Sequence, residues 1–309
     1  MNNKYHSWQA ENVEAIRQRI LWLQEQPDGI IFSIPSNIHL ITVNKLKYLL
    51  QLILIEKVTK YTPWTQSILN LNHPLHLSLQ YTQAMMLGLI WNSHPKKVYM
   101  AGLGGGSIAL VLHHYFPEVI IECAEIDPNM LQVARKFFGI PSDDRFKVKI
   151  QDGREYLEQQ NLPGNYDIIL IDVALGNGYI PYNLSTLEFY HICHRNLSKT
   201  GVLIINTLEK KDFKNMYIKT LQSAFSEVYF CQTQGGNNIM IGSQENNLST
   251  AEIIEKAKLL QESHQFSFSL VNQAVNLKSI QQIPHINLES GQIFQDASSP
   301  PDYFNAWLF

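Results

Sequence analysis

From Lys97 onward the chain alternates short apolar runs with stretches of helical period, and this alternation constrains the fold more than any other feature. "KVYMAG", "VIIECAEID", "RFKVKIQDG", "YDIILIDV" and "GVLIINTL" read as strands. Between them Ile108, Val111, Leu112, Tyr115 and Phe116 share one helical face. Asp127 suits an N-cap and Pro128 the first helical position of "PNMLQVARKFF". "REYLEQQ" reads as a short helix, and Ser185 and Glu188 have capping-box spacing at the head of "STLEFYHICHRNL". Phe213, Met216, Tyr217, Thr220 and Leu221 line one side of a further helix. Strands separated by helices require parallel pairing with crossovers on both faces. The end departs from this rule. "EVYFCQT" and "NNIMIGS" are joined by a turn containing Gly235 and Gly236, too short for a crossover, so they pair antiparallel. The expected fold is α/β, a seven-stranded doubly wound, Rossmann-like sheet with an antiparallel last strand.

The flanks read differently. Val13, Ile16, Ile20 and Leu23 repeat at helical spacing, and "PDG" ends that helix. From Ile30 to Leu71, "IIFSIPS", "IHLITV", "KYLLQLILI" and "QSILNLN" are β-type runs separated by turn residues. "LSLQYTQAMMLGLIW" reads as a helix leading into the main domain, and Ser249 with Glu252 caps one more helix before a Pro-broken aromatic tail. The expected organisation is a helix over 1–28, a small β-rich domain over 29–75, the main domain over 76–248, and a helix and tail over 249–309.

Composition excludes some classes. A net charge of -3 gives no global electrostatic case for nucleic acid. The greasiest stretch, "LKYLLQLILIE", is about half the length that spans a bilayer. The polar first residues lack a signal-peptide run, and Cys123, Cys193 and Cys231 match no metal spacing and read as small buried hydrophobes in a reducing compartment. A cytoplasmic protein without membrane or nucleic-acid partners is expected. The adjacent His113 and His114 read as a solvated helix face, and His191 and His194 as surface or packing residues, so no metal site is expected.

"GLGGGS" places Gly102, Gly104, Gly105 and Gly106 between a strand and a helix N-terminus, where bare backbone and unpaired N–H groups can receive a ligand closely. Nicotinamide dinucleotides and S-adenosylmethionine both use such a loop, with an acid after the second strand for ribose hydroxyls. Glu125 and Asp127 supply that acid. The third glycine of the dinucleotide pattern would fall at Ser107, and a second acid follows the third strand at Asp152 beside Gly153. With the antiparallel finish, these features favour an adenosyl-sulfonium ligand.

From about Gln66 to Leu208 the sequence resembles the spermidine synthase (polyamine aminopropyltransferase) family, above all its bacterial spermidine synthase-like branch. The motifs are "QS" before the Tyr81 helix, "HPKKVYMAGLGGGS", "EIDPNMLQVARKFFG", "QDGREYL", "YDIILIDV", "IPYNLSTLEFY" and "GVLIIN". The resemblance implies a methyltransferase-like domain carrying a small N-terminal β domain, commonly as a homodimer. It implies Glu125 on the ribose hydroxyls, Asp152 and Gly153 at the adenine, and Gln66 and Tyr81 between sulfonium and acceptor. Asp172 matches the family's catalytic base. Tyr179 and Tyr182, flanking Pro181 in the loop after it, read either as a wall for the acceptor or as ordinary loop packing. Two positions depart from the pattern. Leu175 stands where a second aspartate is usual, and Gly105 where the family's glycine loop carries an aspartate for the donor's amine. The implied activity is aminopropyl transfer from decarboxylated S-adenosylmethionine to a polyamine. Methyl transfer from S-adenosylmethionine to a small nucleophile, and nucleoside binding without turnover, are the alternatives.

Overall fold

A computed structural model of the 309-residue chain describes residues 14, 17–37, 39–56, 63–140, 143–160, 163–173, 180–208, 211–244, 247–283 and 291–298. Residues 17–24 are helical (α1), and Leu23 on this helix is fully buried; Val13 and Ile16 lie outside the described residues. β1 (Gly29–Pro35), β2 (His39–Leu46), β3 (Leu49–Glu56) and β4 (Trp64–Asn70) form an antiparallel meander in that order. Alternation sends Ile41, Val43, Leu50, Leu52 and Leu54 to one face. There they share a core with Leu23 and with Met130, Val133 and Phe137 of the main domain. The small sheet is thus seated on the larger domain by apolar burial.

Entry to the main domain is a short helix α2 (Gln80–Met85) that tightens into a 3-10 turn at Met86–Ile90, rather than the single helix expected. β5 (Lys97–Ala101) lies centrally in the large sheet, with α3 (Ser107–Tyr115) following it. Next come β6 (Ile120–Glu125), α4 (Pro128–Phe137), β7 (Phe146–Ile150), α5 (Gly153–Glu158) and β8 (Tyr166–Ile171). A 3-10 turn at Tyr182–Leu184, α6 (Leu187–Asn196), β9 (Leu197–Leu208), α7 (Lys211–Gln222), β10 (Glu227–Gln232) and β11 (Asn237–Ser243) continue the chain. The sheet order is β10-β11-β9-β8-β5-β6-β7, with β5 to β9 parallel and β11 antiparallel to both neighbours. α8 (Thr250–His264) and α9 (Leu270–Asn276) precede an eighth strand, β12 (Lys278–Ser279), which adds two residues to the β10 edge.

The expected caps at Asp127 and at Ser249 with Glu252 are present. The cap of α6 is not Ser185 but Thr186, whose hydroxyl accepts from the Phe189 N–H. Ser185 closes the preceding turn instead, its N–H donating to the Tyr182 carbonyl. His113 corrects a second expectation. It is 1% exposed, not solvated, and its Nε2 lies 2.7 Å from an Asp143 carboxylate oxygen. No helix among the described residues is long and apolar enough to cross a membrane.

Candidate active site

Parallel strands leave their carboxyl ends on one edge, and the chain reverses direction across β5, so ligands of such sheets bind where β5, β6 and β8 end. A cavity of about 650 Å³ opens there, within the range of small-molecule sites. Gly102 directly follows β5 at φ 91°, and a Cβ on it would stand 2.3 Å from the Asp172 carbonyl oxygen. Only glycine allows the exits of β5 and β8 to lie this close.

Glu125 ends β6 and is 8% exposed. Its carboxylate accepts from the Leu103 N–H at 3.0 Å and from the Asp127 N–H at 2.9 Å. Burial raises its pKa, and these backbone bonds oppose the rise. Asp127 caps α4 through the Asn129 N–H, and Asp152 caps α5 through the N–H groups of Arg154 and Glu155. The helix starts therefore fix both side chains at the cavity wall, beside Gly153.

Asp172 directly follows β8, held by its N–H to the Ala101 carbonyl at 3.0 Å. One carboxylate oxygen accepts from Asn206 Nδ2 at 2.8 Å, and the Tyr81 hydroxyl stands near enough to this carboxylate to stabilise its charge. Asp172 faces the cavity, but the protein surrounds it so closely that burial raises its pKa to about 6, against the opposing pull of those two groups. Asn206 is fixed in turn by Asn237 Nδ2 at 3.0 Å. On the other side the Tyr81 hydroxyl also lies 3.3 Å from the Gln66 carbonyl, and the Gln66 side-chain oxygen accepts from Trp64 Nε1 at 2.9 Å. Polar groups thus follow one another from β11 through β9 and β8 to Asp172, and from Tyr81 on α2 to β4.

Gln66, Gly102, Gly104, Glu125, Asp127, Asp152, Gly153, Asp172 and Tyr182 all line the cavity. Gly105 and Gly106 are not among its lining residues. The Gly105 N–H donates to Ser67 Oγ at 2.9 Å, and a Cβ there would face Ser67 and Phe138. Gly106 is the N-cap of α3. The Tyr182 hydroxyl points at the Gln295 carbonyl, 2.8 Å away, so the ring and not the hydroxyl serves the wall. Tyr179 and Leu175 lie outside the described residues. The sequence reading missed Asn206 and Asn237. A polar residue near the end of the strand beside the one that leads to Asp172 was the available signal for Asn206.

The described lining carries carboxylates at Glu125, Asp127, Asp152 and Asp172 and no Lys or Arg, which suits a cationic ligand. Among the described residues no group of three or more His, Cys, Asp or Glu side chains could hold a metal ion.

Residues 79–240, just over half of the chain, match the Spermine/spermidine synthase domain family. A polyamine aminopropyltransferase of Vibrio vulnificus is 33% identical over 178 residues, covering 57% of this chain and 59% of the relative. The chain thus spans less than two thirds of that relative's length. A probable spermidine synthase from Corynebacterium glutamicum has the same fold, with a TM-score of 0.64 at 19% identity over 79% of this chain and 95% of that one. Human methyltransferase-like protein 13, solved in complex with SAH, aligns with a TM-score of 0.57 at 29% identity, over 60% of this chain and 93% of that one. The domain match, the sheet order and the motifs from the glycine loop to Asp172 agree, and the chain belongs to the spermidine synthase-like family of methyltransferase-like fold.

Proposed function

We propose that the protein is a transferase that moves a carbon group from an adenosyl sulfonium to an amine, with Asp172 as the base. The observation that carries this reading is a cavity whose described lining holds four carboxylates and no Lys or Arg, with Asp172 among them, its carboxylate held by Asn206. The residues fit an adenosyl group: Glu125 stands ready for ribose hydroxyls, and Asp152 with Gly153 for an adenine. When bound, the sulfonium supplies an electrophilic carbon. Asp172 orients the acceptor nitrogen and takes its ammonium proton. The freed nitrogen pair forms the N–C bond, and the C–S pair leaves on sulfur as a neutral thioether. A carboxylic acid titrating near 6 is mostly ionised at neutral pH and close enough to it to work as a base.

The family relationship favours aminopropyl transfer from decarboxylated S-adenosylmethionine to a polyamine. A second reading, methyl transfer from intact S-adenosylmethionine, is favoured by the absence of a carboxylate in the glycine loop and by the SAH complex of the human methyltransferase. Incubating each donor with a panel of mono-, di- and polyamines, with products identified by mass spectrometry, separates the two. Asp172→Asn should lower turnover by about 10²–10⁴-fold, the usual contribution of a general base, while adenosyl binding persists. Near wild-type turnover in that variant would remove Asp172 from the chemistry.

A further inference from the structure

The family match ends at residue 240, yet the described segment 291–298 packs back against the wall of the cavity. Phe294 is 1% exposed, its ring among Tyr182, Phe213 and Tyr217. Its N–H donates to Thr220 Oγ1 at 2.9 Å, and its carbonyl accepts from the Leu187 N–H at 2.8 Å. The next two residues reach the cavity wall itself. The Gln295 carbonyl takes the Tyr182 hydroxyl at 2.8 Å. Asp296 receives both terminal nitrogens of Arg154, at 2.7 and 2.6 Å, and the Thr186 hydroxyl at 2.7 Å.

Arg154 is the node of this arrangement. It directly follows Gly153, its N–H is held by Asp152, and its Nη1 also donates to the Asn183 carbonyl at 3.1 Å. Asp152, Gly153, Tyr182 and Asn183 all line the cavity. Tyr182 and Asn183 belong to a three-residue 3-10 turn closed by the Leu184 and Ser185 N–H groups, a short element that needs outside support. We propose that Phe294–Asp296 is a positioning strap. Through Asp296–Arg154 and Gln295–Tyr182 it holds the Pro181–Leu184 wall against the Asp152–Gly153 side, and so sets the affinity for adenosyl thioethers. A bidentate arginine–carboxylate pair fixes orientation as well as distance, which suits this task. The ligand class rests on the function proposed above; the mechanical role of the strap does not.

Two variants test it in the full chain: Asp296→Asn, which keeps the shape and removes the charge, and Tyr182→Phe, which removes one hydroxyl. Calorimetry with methylthioadenosine should show Kd raised roughly 10–150-fold in Asp296→Asn, the scale of one charge-assisted hydrogen bond, and less in Tyr182→Phe. Without ligand, hydrogen exchange at the Leu184 and Ser185 amides should accelerate in both. Unchanged exchange at these amides overturns the strap whether or not the nucleoside binds. Faster exchange with wild-type affinity overturns it too, because the wall would then move without consequence for the ligand. Failure of the wild-type protein to bind methylthioadenosine would instead count against the nucleoside reading, leaving exchange to decide the support of the wall.

Discussion

At Asp172 two opposed effects set one property. Burial penalises the charged carboxylate, and Asn206 and Tyr81 partly relieve that penalty, leaving a pKa of about 6. Asn237 donates to the Asn206 side-chain oxygen, so the Asn206 amide has its nitrogen toward Asp172 and its oxygen away. The arrangement predicts that Asn206→Ala moves the Asp172 titration upward. Loss of a donor to the ionised form destabilises that form alone, so the carboxyl keeps its proton to higher pH. The carboxyl carbon signal of Asp172, assigned by its absence in Asp172→Asn, reports the midpoint by NMR, and the acid limb of any turnover profile should move with it. A midpoint unmoved from about 6 would show that Asn206 does not act on this carboxylate.

Between elements, His113 ties α3 to the segment leading into β7. The imidazole lies between Asp143 and Arg145, and burial together with the Arg145 charge lowers its pKa to about 4. In the unfolded chain the same group titrates near 6.5, so the unfolded state binds the extra proton first. Its contribution is complete above pH 6.5 and is lost as pH falls toward 4, by a few kcal/mol at most. Replacing His113 with Gln should flatten the fall in urea midpoint between pH 6.5 and 4, and a slope equal to wild type would mean another group carries it. The sequence placed this helix correctly and misjudged the histidine, because adjacency on a helix says nothing about which neighbour covers that face. The same limit separates what was legible in the site from what was not. Asp127, Asp152 and Glu125 announce themselves by local position, after a strand and before a helix. Arg154 and Asp296 are 142 positions apart, and Asn206 and Asn237 are 31 apart, so their pairing depends on the tertiary fold.

At the scale of the molecule, the glycine loop belongs to two units at once. Its outer face serves the cavity through Gly102 and Gly104, while Gly105 is turned toward Ser67 on β4 of the small sheet. A Cβ on Gly105 would stand 2.8 Å from Ser67 Cβ and 3.0 Å from the Phe138 ring. Real Cβ atoms do not approach another carbon so closely, so a side chain here must push the small sheet and α4 apart. Gly105→Asp would therefore strain the seam between the domains, with its side chain starting toward Ser67 rather than toward the cavity. This gives the glycine loop a structural reason for its third glycine, independent of the donor's charge. Gly105→Ala is expected to destabilise the protein by about 1–3 kcal/mol, the usual cost of overpacking. Ser67→Gly removes the nearer obstacle at the cost of the hydrogen bond from the Gly105 N–H. If the seam is the cause, the two substitutions are strongly non-additive, and the double variant recovers at least about 1 kcal/mol relative to the sum of the singles. Denaturant unfolding of the four proteins closes this cycle. Gly105 is not among the glycines at positive φ, so additive losses would mean that the contact between the loop and the small sheet yields freely and that Ser67 is not the obstacle.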